Sequence, residues 1–127
     1  MRPFAFPKTR RLLNAQQVQG VFDNVDCKQG GKYFTLLSRS SENAESRLGI
    51  IVAKRHVKTA VKRNAIKRRI RDTFRHAVGG DNSRQISFDV IVLAKASCAG
   101  LQKQDISAEL NRQWLKLLKK REARSKP

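Results

Sequence analysis

Residues 61–75 read VKRNAIKRRIRDTFR: Lys62, Arg63, Lys67, Arg68, Arg69, Arg71 and Arg75, with Lys58 just upstream, surround a single acid, Asp72. On a helical wheel Ile66, Ile70, Phe74 and Ala77 fall on one apolar stripe, and Asn64, Lys67, Arg68, Arg71 and Arg75 form a strip beside it. One face of this helix is built to pack; its neighbour is a ladder of cations. Like charges at i, i+4, such as Lys67 with Arg71 and Arg71 with Arg75, destabilise an isolated helix by about 0.2–0.5 kcal/mol each. A purely structural helix gains nothing from them. Successive turns rise about 5.4 Å, close to the phosphate spacing along one nucleic-acid strand, and arginine offers a bidentate fork to phosphate oxygens.

The rest of the chain carries the same bias. Twenty-eight Lys and Arg against 10 acids give a net charge of +18 over 127 residues, with a pI of about 11.2. Residues 54–75 alone hold ten bases, including Lys54 and Arg55, and one acid. A solvated surface mixes both signs, so the excess points to a polyanion, and to nucleic acid before membrane. If six to eight phosphates are engaged, log K falls with log salt at a slope of roughly −4 to −7. The longest apolar runs, LGIIVA and VIVLA, are far shorter than the roughly 20 residues of a membrane span. MRPFAFPKTRRLL has no continuous apolar core of a secretory signal, so a cytoplasmic protein is expected.

Outward from the basic helix, RLGIIVAKR supplies the strand that feeds it, with an apolar run implying burial on both faces, at least in part. SSENAES, residues 40–46, reads as a polar hairpin loop joining this strand to YFTLLSRS, a strand from about Tyr33; KQGG, residues 28–31, reads as a turn. LNAQQVQGVF carries a helix start, with Asn14 as N-cap, Gln17 three residues on, and Leu13 and Val18 as a hydrophobic staple. Val18, Val21 and Phe22 share a face of it. After a loop at GGDNSRQ, ISFDVIVLAK sets Ile86, Phe88, Val90 and Val92 against Ile91 and Leu93, as a central strand does. DISAELNRQWLKLLKKR places Ile106, Leu110, Trp114, Leu117 and Leu118 on one helical stripe, capped by Asp105 or Ser107.

The expected fold is therefore α+β, a small mixed sheet of about four strands packed with three helices in the order α-β-β-β-α-β-α. The length allows one domain over residues 1–127, with a basic arm at 1–11 and a tail fraying from about residue 121. Cys27 and Cys98 lie far apart without a CxxC, and with His56 and His76 they lack metal-ligand spacing. The acids are scattered, and no HExxH, GxSxG or phosphate-binding loop is present. The chain by itself reads as non-catalytic. DNA in a major groove is weakened as the partner by the scarcity of base-reading side chains on the strip and by the lack of a helix-turn-helix pair. RNA is favoured; a DNA-binding regulator and a structural RNA-binding protein, such as a small ribosomal protein, remain as alternatives.

VAKRHVKTAVKRNAIKRRIRDTFR, residues 52–75, resembles the signature of the bacterial ribonuclease P protein component, in which a strand ending in Lys-Lys or Lys-Arg leads into a helix with an Arg-Asn-Arg core. Val21 and Phe22, the YFTLL and FDVIVLAK strands, and Leu110 with Trp114 are similar to it in order. The resemblance implies a ribosomal-protein-S5-domain-2-like fold with a left-handed β-α-β crossover. It also implies a protein subunit that binds a catalytic RNA and precursor tRNA, assisting removal of the 5′ leader, with Mg²⁺ held mainly by the RNA and no obligate protein partner evident. The residues it assigns to RNA are Lys54, Arg55, Lys58, Lys62, Arg63, Asn64, Lys67, Arg68, Arg69, Arg71 and Arg75. Those it assigns to a leader cleft between the first helix and the sheet are Lys8, Arg10, Arg11, Phe22, Tyr33 and Phe34. Tyr33 and Phe34 face oppositely, so at most one lines the cleft. Ala65 stands where the signature has its second arginine, and Arg69, one turn on, is placed to substitute for it.

Overall fold

In a computed structural model, residues 15–40, 46–78 and 88–125 are described. Helix α1 (Ala15–Asp23) leads to strands β1 (Cys27–Gly30), β2 (Phe34–Ser40) and β3 (Arg47–Ile51). Helix α2 (Ala60–Val78), strand β4 (Phe88–Ala94), a 3₁₀ segment (Ala96–Gly100) and helix α3 (Lys103–Ser125) complete it. The α-β-β-β-α-β-α order is the expected one, but the strand order across the sheet is β1-β2-β4-β3. β4 runs antiparallel to β2 and parallel to β3, so α2 is the crossover between parallel neighbours.

Two local expectations change. β2 and β3 are not a hairpin, because β4 lies between them. Short polar loops suggest hairpins, yet β4 is apolar on both faces and takes the central place, leaving β3 at the edge. KQGG is not mainly a turn either: Lys28, Gln29 and Gly30 pair with Leu37, Leu36 and Thr35, and the reversal follows at residues 31–33. A Cβ at Gly31 would stand 2.7 Å from Gln113 Nε2 and 3.3 Å from Phe34 O, so a larger residue there would displace the buried Gln113 amide.

Alternation sends Phe88, Val90, Val92 and Ala94 of β4 to one side, where they join the main core with Phe34 and Leu36, Ile66, Ile70 and Phe74 of α2, and Ile106, Leu110, Trp114 and Leu117 of α3. Trp114 donates its indole N–H to Thr73 Oγ1 at 2.9 Å, and its ring lies 5.4 Å from that of Phe74. Thr73 takes the buried place given to Ala77, which is exposed. Asp89, Ile91 and Leu93 face the other side, which α1 partly covers with Val21.

Helix α3 begins at Lys103, ahead of both expected caps, and runs past residue 121 to Ser125. Arg121 is buried over the Phe88 ring, donating to Asp26 Oδ1 at 2.8 Å and to Ser38 and Ser40 hydroxyls at 2.9 Å. Burial pushes the Asp26 carboxyl up, but the bonds from Arg121 and Ser40 more than offset this and hold it below its ordinary value. A carboxylate depressed in the folded state contributes stability that is complete above its unfolded pKa of about 3.9 and is lost as pH falls through the folded value. Asp26→Asn is therefore expected to remove about 1 kcal/mol at neutral pH and flatten the acid limb of a urea-stability curve against pH. An unchanged acid limb contradicts a stabilising bond between Arg121 and Asp26. Asn14, Leu13, Ile86, the arm at 1–11 and the interiors of both long loops lie outside the described residues.

Candidate nucleic-acid interface

The basic surface starts where β3 ends. Val52 and Val57 are buried and the turn closes through Val57 N–H to Ala53 O at 3.0 Å, which leaves Lys54, Arg55 and Lys58 exposed. Thr59 caps α2: its hydroxyl accepts the Lys62 N–H at 3.3 Å. Capping by threonine satisfies one of the free N–H groups of the first turn.

Beyond the cap the predicted ladder divides by function. Arg63 donates to the carbonyls of Val57 and Lys58, both at 3.0 Å, and Lys62 donates to Ala99 O, tying α2 to the 3₁₀ segment after β4. Both brace the fold. Arg75 pairs with Asp72, one turn before it, on the same helix. Asn64 and Arg68 are exposed, Lys67, Arg69 and Arg71 partly so. Val61, 81% exposed, sits among them as an apolar contact point. Arg69 follows Ala65 by one turn on the same side, as the spacing requires.

The aromatic candidates separate. Phe34 is fully buried and belongs to the core, so it cannot line a cleft. Phe22 is 38% exposed on α1. Tyr33 is half-buried, with the Lys32 ammonium 5.5 Å from its ring centre. Tyr33 precedes the first residue of β2, whereas Phe22 lies at the end of α1 that meets Arg39, near the last; seven strand residues separate the ends, about 20 Å. They do not form one stacking surface. Lys8, Arg10 and Arg11 lie outside the described residues. On the sheet face that α1 partly covers, Leu37 and Leu93 remain partly exposed and Ile51 is 38% exposed, leaving apolar surface open beside α1, on which Phe22 is also exposed.

Three residues on this face were not singled out from the sequence. Arg39, Asp89 and Arg47 are directly opposite one another on β2, β4 and β3. Arg47 grips Asp89 through Nε at 2.9 Å and Nη2 at 2.8 Å; Arg39 reaches the same carboxylate at 3.4 Å. The bond to Asp89 raises Arg47 above its ordinary value against the effect of burial. The available signal was a lone acid inside an apolar strand, since a buried carboxylate requires a cationic partner.

Lys32, Lys95, Lys54, Arg55, Lys58 and Lys62 gather at the end of the strands where β4 finishes and α2 begins, while at the opposite end Asp26 and Asp89 are engaged by Arg121, Arg47 and Arg39. His56 and His76 are separated by nearly the whole of α2, at least about 24 Å, which excludes an acid–base pair. Cys27 and Cys98 are free and buried. Burial raises the Cys98 thiol despite the nearby Lys62 charge, so it stays protonated. Among the described residues no three His, Cys, Asp or Glu gather around a metal position, and no helix is long and apolar enough to cross a membrane.

Comparison with known proteins agrees with this arrangement. The family model described as Ribonuclease P matches residues 6–118. The ribonuclease P protein component of Pseudomonas aeruginosa is 34% identical over 122 residues, covering 96% of this chain and 87% of that protein. That of a Marinomonas species is 38% identical over 120 residues, covering 94% and 88%. Among solved structures, the ribonuclease P protein of Staphylococcus aureus superposes with a TM-score of 0.76 at 26% identity, over 88% of this chain and 97% of that one. That of Thermotoga maritima gives 0.67 at 25% identity, over 87% and 96%. With a family model matching most of its length and relatives of 34–38% identity covering nearly all of it, the chain belongs to the ribonuclease P protein family, as a protein subunit of that endoribonuclease.

Proposed function

We propose that the exposed cations from Lys54 to Arg68 bind the catalytic RNA of ribonuclease P, and that the open apolar surface between α1 and the sheet forms a trough that receives the 5′ leader of precursor tRNA. The observation that carries this reading is the division of α2: Ile66, Ile70 and Phe74 are fully buried while Asn64 and Arg68, on the same turns, are exposed beside Lys54, Arg55 and Lys58. Phosphate contacts of this kind position an RNA without reading its sequence. A variable single-stranded leader suits sequence-tolerant stacking, and Phe22 is the exposed aromatic at the trough. In this reading Mg²⁺ for the hydrolysis is held mainly by the RNA. Among the described residues the fully buried carboxylate of Asp89 is already engaged by two arginines. The work takes place in the cytoplasm, on precursor tRNA.

The decisive experiment mixes the chain with bacterial ribonuclease P RNA at low Mg²⁺ and follows precursor tRNA cleavage; no stimulation over RNA alone rejects the proposal. Within that assay Arg68→Ala is expected to lower affinity for the catalytic RNA and reduce the steepness of the log K–log salt line by about 0.7–0.9, one phosphate contact. Lys62→Ala and Arg63→Ala are expected instead to destabilise the chain, since their donors hold backbone carbonyls. An unaltered salt slope for Arg68→Ala would remove it from the interface.

A further inference from the structure

We infer that Arg39 is a positioning residue for α1, a latch that sets the width of the trough in which the leader is proposed to lie; the inference rests on that reading of the trough. α1 is short, nine residues, and Val21 is its one buried side chain among those described. Val18, on the same face, is only half-buried, so apolar packing alone holds the helix weakly. The second attachment is polar: Arg39 Nη1 donates to Gly20 O at 3.2 Å, in the last turn of α1, where Asn24 Nδ2 also donates to the same carbonyl at 2.8 Å. A cation at this end complements the partial negative charge of the helix C-terminus.

The latch is itself held from below. Asp89 is gripped by Arg47 at 2.8 and 2.9 Å, and Arg39 shares the carboxylate only at 3.4 Å. Arg47 therefore fixes Asp89, Asp89 steers Arg39, and Arg39 is left with a donor for α1. The fit on the helix side is close, since a Cβ on Gly20 would stand 3.2 Å from Arg39 Nη1 and 3.6 Å from its Cζ. A side chain at residue 20 therefore presses on the guanidinium, which has to give way. Phe22, two residues beyond Gly20, moves with whatever moves that turn.

Two variants attack the latch from its two sides: Arg39→Ala removes the donor, and Gly20→Leu displaces it while leaving the Arg47–Asp89 pair intact. Each is assembled with the catalytic RNA, and binding is compared for precursor tRNA carrying a leader and for tRNA lacking one. Amide exchange of the free chain is followed for residues 17–23 against α2 and β4. The expected result is faster exchange confined to α1, with the affinity margin due to the leader reduced on the order of tenfold, the scale of one lost stacking contact. Affinities for the catalytic RNA and for leaderless tRNA stay as in the parent. A margin and an α1 exchange pattern unchanged in both variants overturn the latch. If the parent shows no leader margin, the trough reading fails first and the positioning role falls with it. Exchange that rises equally in α2 and β4 for both variants identifies a general structural role and rejects the latch as well.

Discussion

Phe74→Ala is expected to cost about 3–5 kcal/mol of folding stability, read as a lowered urea midpoint at constant salt. The ring is fully buried and packs at 57° against Trp114 with centroids 5.4 Å apart, an aromatic pair worth about 0.5–1.5 kcal/mol beyond its area. Truncation leaves a cavity between α2 and α3, beside the Thr73–Trp114 hydrogen bond that fixes the register of the two helices. Val61→Ala, at an 81% exposed position on the same helix, should stay within about 0.5 kcal/mol. A loss below about 1 kcal/mol for Phe74→Ala would mean that the apolar stripe does not face the core. Because the cations of the neighbouring face are untouched, the folded fraction of this variant keeps the parent's salt slope.

The second large effect is expected at Asp89→Ala, about 3 kcal/mol, at the lower end of the range for removing one partner of a buried ion pair. The carboxylate is almost fully buried, while Arg39 and Arg47 retain 27% and 16% side-chain exposure. Water thus relieves part of the charge left behind. The variant frees two guanidinium groups at one end of the sheet and unfastens three strands at one point. Asp89→Leu combined with Arg47→Met should recover most of the loss, since apolar replacement of both partners removes the unpaired charge. If the double variant is no more stable than Asp89→Ala, the cost comes from packing and the ion pair contributes little.

The elements and the core were legible because their periods are unambiguous. Ile66, Ile70 and Phe74 recur as a helix requires, and Phe88, Val90 and Val92 as a strand requires, and all six are buried. Strand order was not legible, because a polar loop of the length of SSENAES permits a hairpin and equally permits a strand to be inserted between its arms. The cationic strip was placed correctly on α2, but periodicity reports which way a side chain leaves the helix and not what meets it there. Lys62 and Arg63 leave toward backbone carbonyls, and Arg75 toward Asp72. Phe34 and Tyr33 were assigned to opposite faces by alternation, and only the neighbouring helices decide which face is closed. Arg39, Asp89 and Arg47 come from three separate stretches, and their meeting depends on register between strands that the sequence does not order.

The clustered charge bears on how the protein finds its RNA. Cations collected where β4 ends and α2 begins concentrate positive potential on one part of the surface. A polyanion exerts a torque on such a body as well as an attraction, so the domain turns its basic end inward while still several ångströms of solvent away. Orientational search ordinarily holds protein association to about 10⁵–10⁷ M⁻¹s⁻¹, and pre-alignment raises it toward the diffusion limit. Encounter is then faster and better directed at low ionic strength, and added salt slows arrival before it hastens departure.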